Sequence, residues 1–474
     1  MREAEPLSLV DHAWLRMDRA TNLMMICGVM MSDQRFELAQ VKALIAARLL
    51  CLRRFRQRVV RADGGARWEI DRDFDLDWHV RQVALPGAGG APELEQLVSD
   101  LISTALDPAK PMWQFHVVEG AAGGALVLRI HHCYGDGFAL GHVIERLTDA
   151  DPDHPRLAGP DLSAPEPPRA AWERVLGRFS ETLGDGARLA QALLADGADA
   201  LRHPAQVAAR ARFGLALARE LAVIAAMEPD APTRFKGPLG VMKRAAWSAP
   251  LSLFEVKALA EALACSVNDV LLCCVTGALR GYLLAQGELA PGRDVRAMVP
   301  VNLRAPGPIT ELGNEFGLVF LDLPLAEAEP LRRLRTLRGR MRALRRSRQP
   351  LVAFGILTAM GVLPEPLKER VLETLAANAS AVVSNVRGSP TPRFLAGRRI
   401  TRQLFWVPQS GGIGLGISLL SYAGQIEMGV VSDVGLVPDP AELVRRLERE
   451  FESLLLAALA LAPPAPVRAE RREG

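Results

Sequence analysis

Two adjacent histidines, His131 and His132, close an apolar run, and Asp136-Gly137 follows: "GGALVLRIHHCYGDGF". These residue types at this spacing suit proton transfer. A neutral imidazole takes a proton near neutral pH, because its unperturbed pKa is about 6.5. Beside an acyl donor it can deprotonate an alcohol as the oxygen attacks a thioester carbonyl, then return the proton to the leaving thiolate. Such help contributes roughly 10²–10⁴ in rate. The base must be held in one tautomer through its other ring nitrogen. Asp136 could supply that bond, or could fold the loop by pairing with an arginine. Three other readings stand beside this one. HxxxD could belong to a metal site, although the remaining histidines are isolated in the sequence and no third ligand presents itself. The His-His pair could be a structural turn without chemistry. Cys133 could be a nucleophile activated by its neighbours.

The elements that must place these residues can be read around them. "GGALVLRIHH" is strand-like, and side chains alternate faces along a strand, so the two histidines point in opposite directions. Asp136-Gly137 makes a tight turn, and "FALGHVIERL" continues as a helix. A strand–turn–helix junction puts the strand's last side chain at the sheet's edge, within reach of a substrate.

The same reading extends over the whole chain. With 474 residues it is long enough for two or three domains, and 49% hydrophobic with 23% charged residues is ordinary globular composition. Net charge is 57 − 54 = +3, too balanced to point to nucleic acid. The six cysteines form no CxxC pair and no zinc-ligand spacing, as expected of inert thiols in a reducing cytosol. The N-terminus has no continuous apolar stretch of the signal-peptide kind, and no apolar run reaches the ~18 residues of a spanning helix. GxxxxGK[ST] and GxSxG are absent, and "GGIGLGIS" does not fit GxGxxG.

Pro- and Gly-rich "HPRLAGPDLSAPEPPRAAWER" (154–174) reads as a domain-edge linker. An Ala/Arg/Leu-rich helical stretch follows, and "EPDAPTRFKGPLG" (228–240) breaks it. The division expected is residues 1–160 as a first lobe, 161–238 as a helical crossover and 239–474 as a second lobe. In the second lobe two helices meet at "CSVND", capped by Asn268 or Ser266. "AMVPVNLR", "FGLVFLDLP", "AVVSNV", "ITRQLFWV", "LGISLLSY" and "GQIEMGVVS" are strand-like, the last two joined as a hairpin. A closing amphipathic helix starts at Asp439-Pro440.

HHxxxDG, here His131-His132-Cys133-Tyr134-Gly135-Asp136-Gly137, resembles the signature of coenzyme A-dependent acyltransferases. Further blocks resemble the bacterial wax ester synthase/diacylglycerol acyltransferase family: "PLSLVDHAWLRMD", "DPAKPMWQFHVVEG", "ACSVNDVLL", "VPVNLR", "LGNEFG", "SNVRGSP" and "ISLLSYAGQIEMGVVSD". They span nearly the whole chain. The resemblance implies an α/β (α+β) fold of two chloramphenicol-acetyltransferase-like lobes, each a mixed sheet flanked by helices, joined by a helical crossover and enclosing a channel. It implies acyl-CoA as co-substrate with no tightly bound cofactor and no metal. The acceptor would be a long-chain alcohol or diacylglycerol. His132 would be the general base, with His131 in support. Asp136, followed by Gly137, would be structural and pair with Arg304 of "VPVNLR". Asn268-Asp269 would match the family's ND pair, with Asn268 supporting an oxyanion or the cleft, or else capping the helix.

The chain departs from the family at Arg387, where proline is commoner, and at Met112, where leucine is commoner. Bulky Tyr134 inside the motif bears on the width available to substrate. The enzyme reading places the chain in the cytoplasm. Contact with the inner membrane or lipid inclusions is left open, through the apolar, Arg-dotted stretch before residue 228 or the basic "LRRLRTLRGRMRALRRSR" (331–348). The rival readings are a non-catalytic lipid-binding protein on the same fold and a condensation-type acyltransferase with another acceptor.

Overall fold

Strands in this chain follow two-residue alternation of apolar side chains. In the segments Met25–Ser32 and Gly123–His131, Ile26, Met30, Leu128 and Ile130 face one core, while Cys27, Val29, Ala125 and Val127 face another. The computed structural model describes residues 4–62, 65–120, 123–154, 219–220, 222–288, 292–304 and 312–460. The 154–174 linker beyond residue 154 and most of the 161–238 crossover lie outside the described residues.

The first lobe comprises β1 (Ala4–Pro6), α1 (Leu9–Met17), β2 (Met25–Ser32), α2 (Leu38–Arg48), β3 (Gln57–Ala62), β4 (Gly65–Ile70), α3 (Leu76–His79), β5 (Val80–Ala84), α4 (Ala91–Ile102), β6 (Trp113–Gly120), β7 (Gly123–His131) and α5 (Gly137–Leu147). The second begins with β8 (Lys243–Trp247), β9 (Leu251–Ser252), α6 (Leu253–Ala262), α7 (Val267–Ala285), β10 (Val295–Asn302) and β11 (Phe316–Leu323). It continues with α8 (Pro330–Arg346), α9 (Gln349–Met360), α10 (Glu365–Ala377), β12 (Ala381–Arg387), β13 (Phe394–Leu395), β14 (Arg398–Arg399), β15 (Arg402–Trp406), β16 (Leu415–Tyr422), β17 (Gln425–Asp433) and α11 (Pro440–Leu459).

Two mixed sheets dominate. The first has the order β15-β2-β7-β6-β5. The second has the order β11-β10-β12-β16-β17-β8, with β9 also paired to β17. The α/β architecture of two mixed sheets flanked by helices is the one expected. One strand crosses over: β15 leaves the second half of the chain and pairs antiparallel with β2, Arg402 opposite Met31 and Trp406 opposite Cys27. Its Leu404 and Trp406 are buried with Val29, Val127, Leu94 and Val98 of the first lobe and with Ala245 and Trp247 of β8. The 239–474 segment therefore builds part of both sheets, and burial of this shared layer locks the lobes together.

Helix α1 forms a second clasp. The ring nitrogen Nδ1 of His12 lies 2.8 Å from the Gly361 carbonyl, and Arg16 donates to the Met360 carbonyl. The approach is close enough to need glycine: a Cβ at 361 would sit 2.0 Å from the Leu9 carbonyl oxygen. The hairpin of β16 and β17 turns on Ala423-Gly424, both at positive φ, the backbone of a type I′ turn. Helix α7 is long and apolar enough to cross a bilayer, yet Val270–Leu279 is buried in the second lobe's core, so its hydropathy reflects packing.

Candidate active site

Strand β7 ends at His131 and the chain turns at once into a short 3₁₀ helix, His132–Tyr134. The two rings consequently reach different surroundings. His131 Nδ1 accepts from the Cys133 amide, and its Nε2 lies 3.8 Å from Asp18. Burial, then the neighbouring His132, push its pKa down to about 3. His132 donates its backbone N–H to the Met24 carbonyl, while its own carbonyl accepts from Asn314 Nδ2 at 2.8 Å. Its ring stacks on Trp14 with centroids 4.0 Å apart at 13°, and Phe316 flanks it at 5.7 Å. Burial depresses its pKa to about 4, against the raising influence of the Asp136 charge, its own carbonyl and the Asn314 side chain. The imidazole is therefore neutral near pH 7, the form a base requires.

Asp136 uses both carboxylate oxygens on structure. Oδ1 caps α5 by accepting from the Phe138 and Ala139 amides, each at 3.0 Å. Oδ2 accepts from Arg304 at 2.5 Å and from the Glu315 amide at 2.9 Å. Arg304 also donates to the Gly313 carbonyl at 2.6 Å. Asp136 is buried and Arg304 largely so, and the ion pair joins the HHxxxDG turn to the loop before β11. Gly137, the first residue of α5, packs against Val386 of β12.

His132, Trp14, Met17, Phe316, Leu357 and Met360 wall a small chamber of about 80 Å³. On one side it shares Gly137, Phe138 and Val386 with an apolar cavity of about 440 Å³, lined also by Ile26, Gly28, Leu128, Gly141 and Leu420. On the other it shares Met17 and Leu372 with an open cleft of about 890 Å³. The histidine thus stands between a greasy cavity and an open, polar-edged cleft. Arg387, where the family more often has proline, is exposed and lines the larger apolar cavity.

The structure brings His131, His132, Asp136, Gly137 and Arg304 together. It does not bring Asn268 or Asp269 to them. Ser266 is the helix cap, and Asp269 completes its capping box by accepting from the Ser266 amide and hydroxyl. Asn268 Oδ1 accepts from Asn385 Nδ2 at 2.8 Å. Asn385 lies between Ser384 and Val386, which line the chamber, so its side chain leaves the opposite face of β12. Asn268 is not among the chamber's lining residues, which corrects the expectation of a role in the cleft.

Tyr134 is corrected likewise. It is fully buried in the first lobe, donating to the Gln57 carbonyl and accepting from the Met112 amide, and it lines neither cavity. It anchors the motif and does not set substrate width. Cys133 is fully buried, and burial raises its thiol well above the ordinary value, so it is no nucleophile.

Sequence reasoning overlooked Trp14, Asp11 and Asn314. Asn314 Nδ2 bridges the His132 carbonyl and the Asp11 carboxylate, at 2.8 and 2.7 Å. All three lie in stretches singled out for resemblance, "PLSLVDHAWLRMD" and "LGNEFG", but the Asn314 contacts span 182 and 303 residues, Trp14 meets His132 from a distant segment, and none leaves a local pattern.

Residues 7–271 match the family model of the wax ester synthase/diacylglycerol acyltransferase catalytic domain, and residues 312–455 match the C-terminal domain of the same family. A probable diacylglycerol O-acyltransferase of Mycobacterium tuberculosis is 30% identical over 416 residues, covering 84% of this chain and 86% of its own. A second from that organism is 26% identical over 413 residues, covering 85% of each. Among solved structures, the wax ester synthase/diacylglycerol acyltransferase of Marinobacter aquaeolei superposes with a TM-score of 0.66 at 22% identity, covering 96% of this chain and 99% of that one. The starter condensation domain of rhizomide synthetase superposes at 0.58 and 15% identity, covering 96% and 95%. At these identities the structural likenesses carry the fold.

Proposed function

The chain belongs to the wax ester synthase/diacylglycerol acyltransferase family, and from that premise we propose that His132 is the general base of an acyl transfer to a hydroxyl held in the interlobe chamber. The protein is an acyl-CoA-dependent O-acyltransferase, with acyl-CoA as its co-substrate. The observation that carries the assignment to His132 is its position: a neutral, buried imidazole on the wall of the chamber that lies between the apolar cavity and the open cleft. Neutral His132 takes the proton of the acceptor hydroxyl as the oxygen bonds to the thioester carbonyl carbon. When the tetrahedral intermediate collapses, the carbon–sulfur bond breaks and the imidazolium returns the proton to the CoA sulfur. The ester and CoA thiol leave, and the imidazole is neutral again. Asp136 takes no proton in this scheme; its oxygens hold the loop.

Diacylglycerol as acceptor is supported by the names of the mycobacterial relatives, and a long-chain alcohol by that of the Marinobacter one. The 440 Å³ apolar cavity suits a long hydrocarbon chain of donor or acceptor. Thiol release measured across panels of acyl-CoAs, alcohols and diacylglycerols, with the esters separated, assigns the acceptor. Failure to consume acyl-CoA with any acceptor would favour a lipid-binding role.

A cytoplasmic enzyme in peripheral contact with the inner membrane or a lipid inclusion is the location we favour. Arg332, Arg335, Arg342, Arg345 and Arg346 of α8 are exposed, a basic face that suits anionic headgroups. Flotation with anionic and neutral vesicles tests it; equal behaviour with both would remove this role from α8.

A further inference from the structure

An aromatic ring lies over the reactive imidazole. Trp14 and His132 stack with centroids 4.0 Å apart and planes at 13°, and both are buried. The indole is held firmly. Ser8 caps α1, the Asp11 carboxylate accepts from Asn314 of the second lobe, and His12 and Arg16 meet the Gly361 and Met360 carbonyls. The indole Nε1 has no hydrogen-bond partner among the described residues, so Trp14 offers His132 only its face.

That face matters because of what the rest of the site leaves undone. Proton transfer puts a positive charge on a ring taken out of water, which burial alone makes costly. The carboxylate of the motif, Asp136, favours the imidazolium, but it shares its charge with Arg304 and three backbone amides, and burial still outweighs it. An aromatic face attracts a cation and does little for the neutral ring, tryptophan doing so best among the aromatic side chains. We propose that Trp14 is a positioning residue that holds the His132 ring toward the chamber and stabilises its protonated form as the acceptor hydroxyl loses its proton. The inference rests on the reading of His132 as the base.

The test replaces tryptophan by mono-, di- and trifluorotryptophan in the full-length protein, which draws electron density from the ring face while keeping its shape. W14F labelled in the same way controls for the other six of the seven tryptophans. CoA thiol release with acyl-CoA and a long-chain alcohol or diacylglycerol is the readout, alongside H132A. Stepwise loss of kcat with each added fluorine, totalling about tenfold, with unchanged KM and no such trend in labelled W14F, is expected. Unlabelled W14F should keep more kcat than W14L. A kcat indifferent to fluorination, or the same decline in labelled W14F, would overturn the role of Trp14. Full turnover by H132A would instead overturn the underlying assignment of the base, whatever the fluorination series shows.

Discussion

Arg304 of the second lobe donates to Asp136 of the first across 168 residues of sequence, closing the HHxxxDG turn over the loop before β11. The pair is largely buried, and the same aspartate caps α5. The charged residue of the motif therefore fixes where the helix starts and how the lobes meet.

Removing one member of this pair should leave an uncompensated buried charge. Asp136→Ala and Arg304→Ala are each expected to lower unfolding free energy by about 3–5 kcal/mol, and the double variant by clearly less than the sum. Asp136→Ala should cost about 1 kcal/mol more than its partner, because it also removes the helix cap. Urea unfolding of the four proteins measures the coupling; strict additivity would mean the pair does not act as a unit.

The pH dependence should carry the mark of a buried base. Free imidazole titrates at about 6.5, whereas burial holds His132 at about 4. The neutral, competent form therefore persists as pH falls through 6.5, and kcat/KM should hold until the acid limb approaches about 4. Rates compared over this range, with folding followed in parallel, check it. A limb centred near 6.5 on a folded protein would contradict a desolvated His132.

His116 gives a stability counterpart away from the site. Burial first, then the charges of Arg129 and Arg81, hold it at about 4. The unfolded chain takes up that proton near pH 6.5, before the folded one does, so the contribution is full above about 6.5 and is lost as pH falls toward about 4. His116→Gln should flatten the fall of stability across this window by about 2 kcal/mol relative to the parent. Unfolding curves at several pH values test it, and parallel profiles would refute it.

Gly141 sets the room in the apolar cavity. A Cβ there meets nothing within 4 Å, so the backbone tolerates a side chain that would grow into the cavity. Gly141→Leu should fold normally and lose at least about tenfold in kcat/KM for the longest chains in the donor or the acceptor panel, while shorter ones are spared. An unchanged length profile in both panels would mean the cavity does not hold the chain.

Much of this was legible in the sequence because it was local. The alternation before His131, the Asp-Gly turn, the helix after it and the β16–β17 hairpin all follow from neighbours within a few residues. The pairing of Asp136 with Arg304 came from resemblance, since nothing in either segment names its partner. What stayed hidden was set by distant packing: β15 crossing to the first sheet, Trp14 laid on His132 by a helix clasped at Gly361, and Asn314 bridging Asp11 to the His132 carbonyl. Asn268 misled for a related reason. Its motif sits at a helix start, and only the face of β12 occupied by Asn385 reveals that it leads away from the chamber.

The most direct measurement is acyl transfer by His132→Ala, followed as CoA thiol release with acyl-CoA and a long-chain alcohol or diacylglycerol, beside its thermal unfolding. A loss of roughly 10²–10⁴ in kcat with folding preserved is predicted. Turnover at the parent rate in a folded His132→Ala protein would contradict His132 as the base.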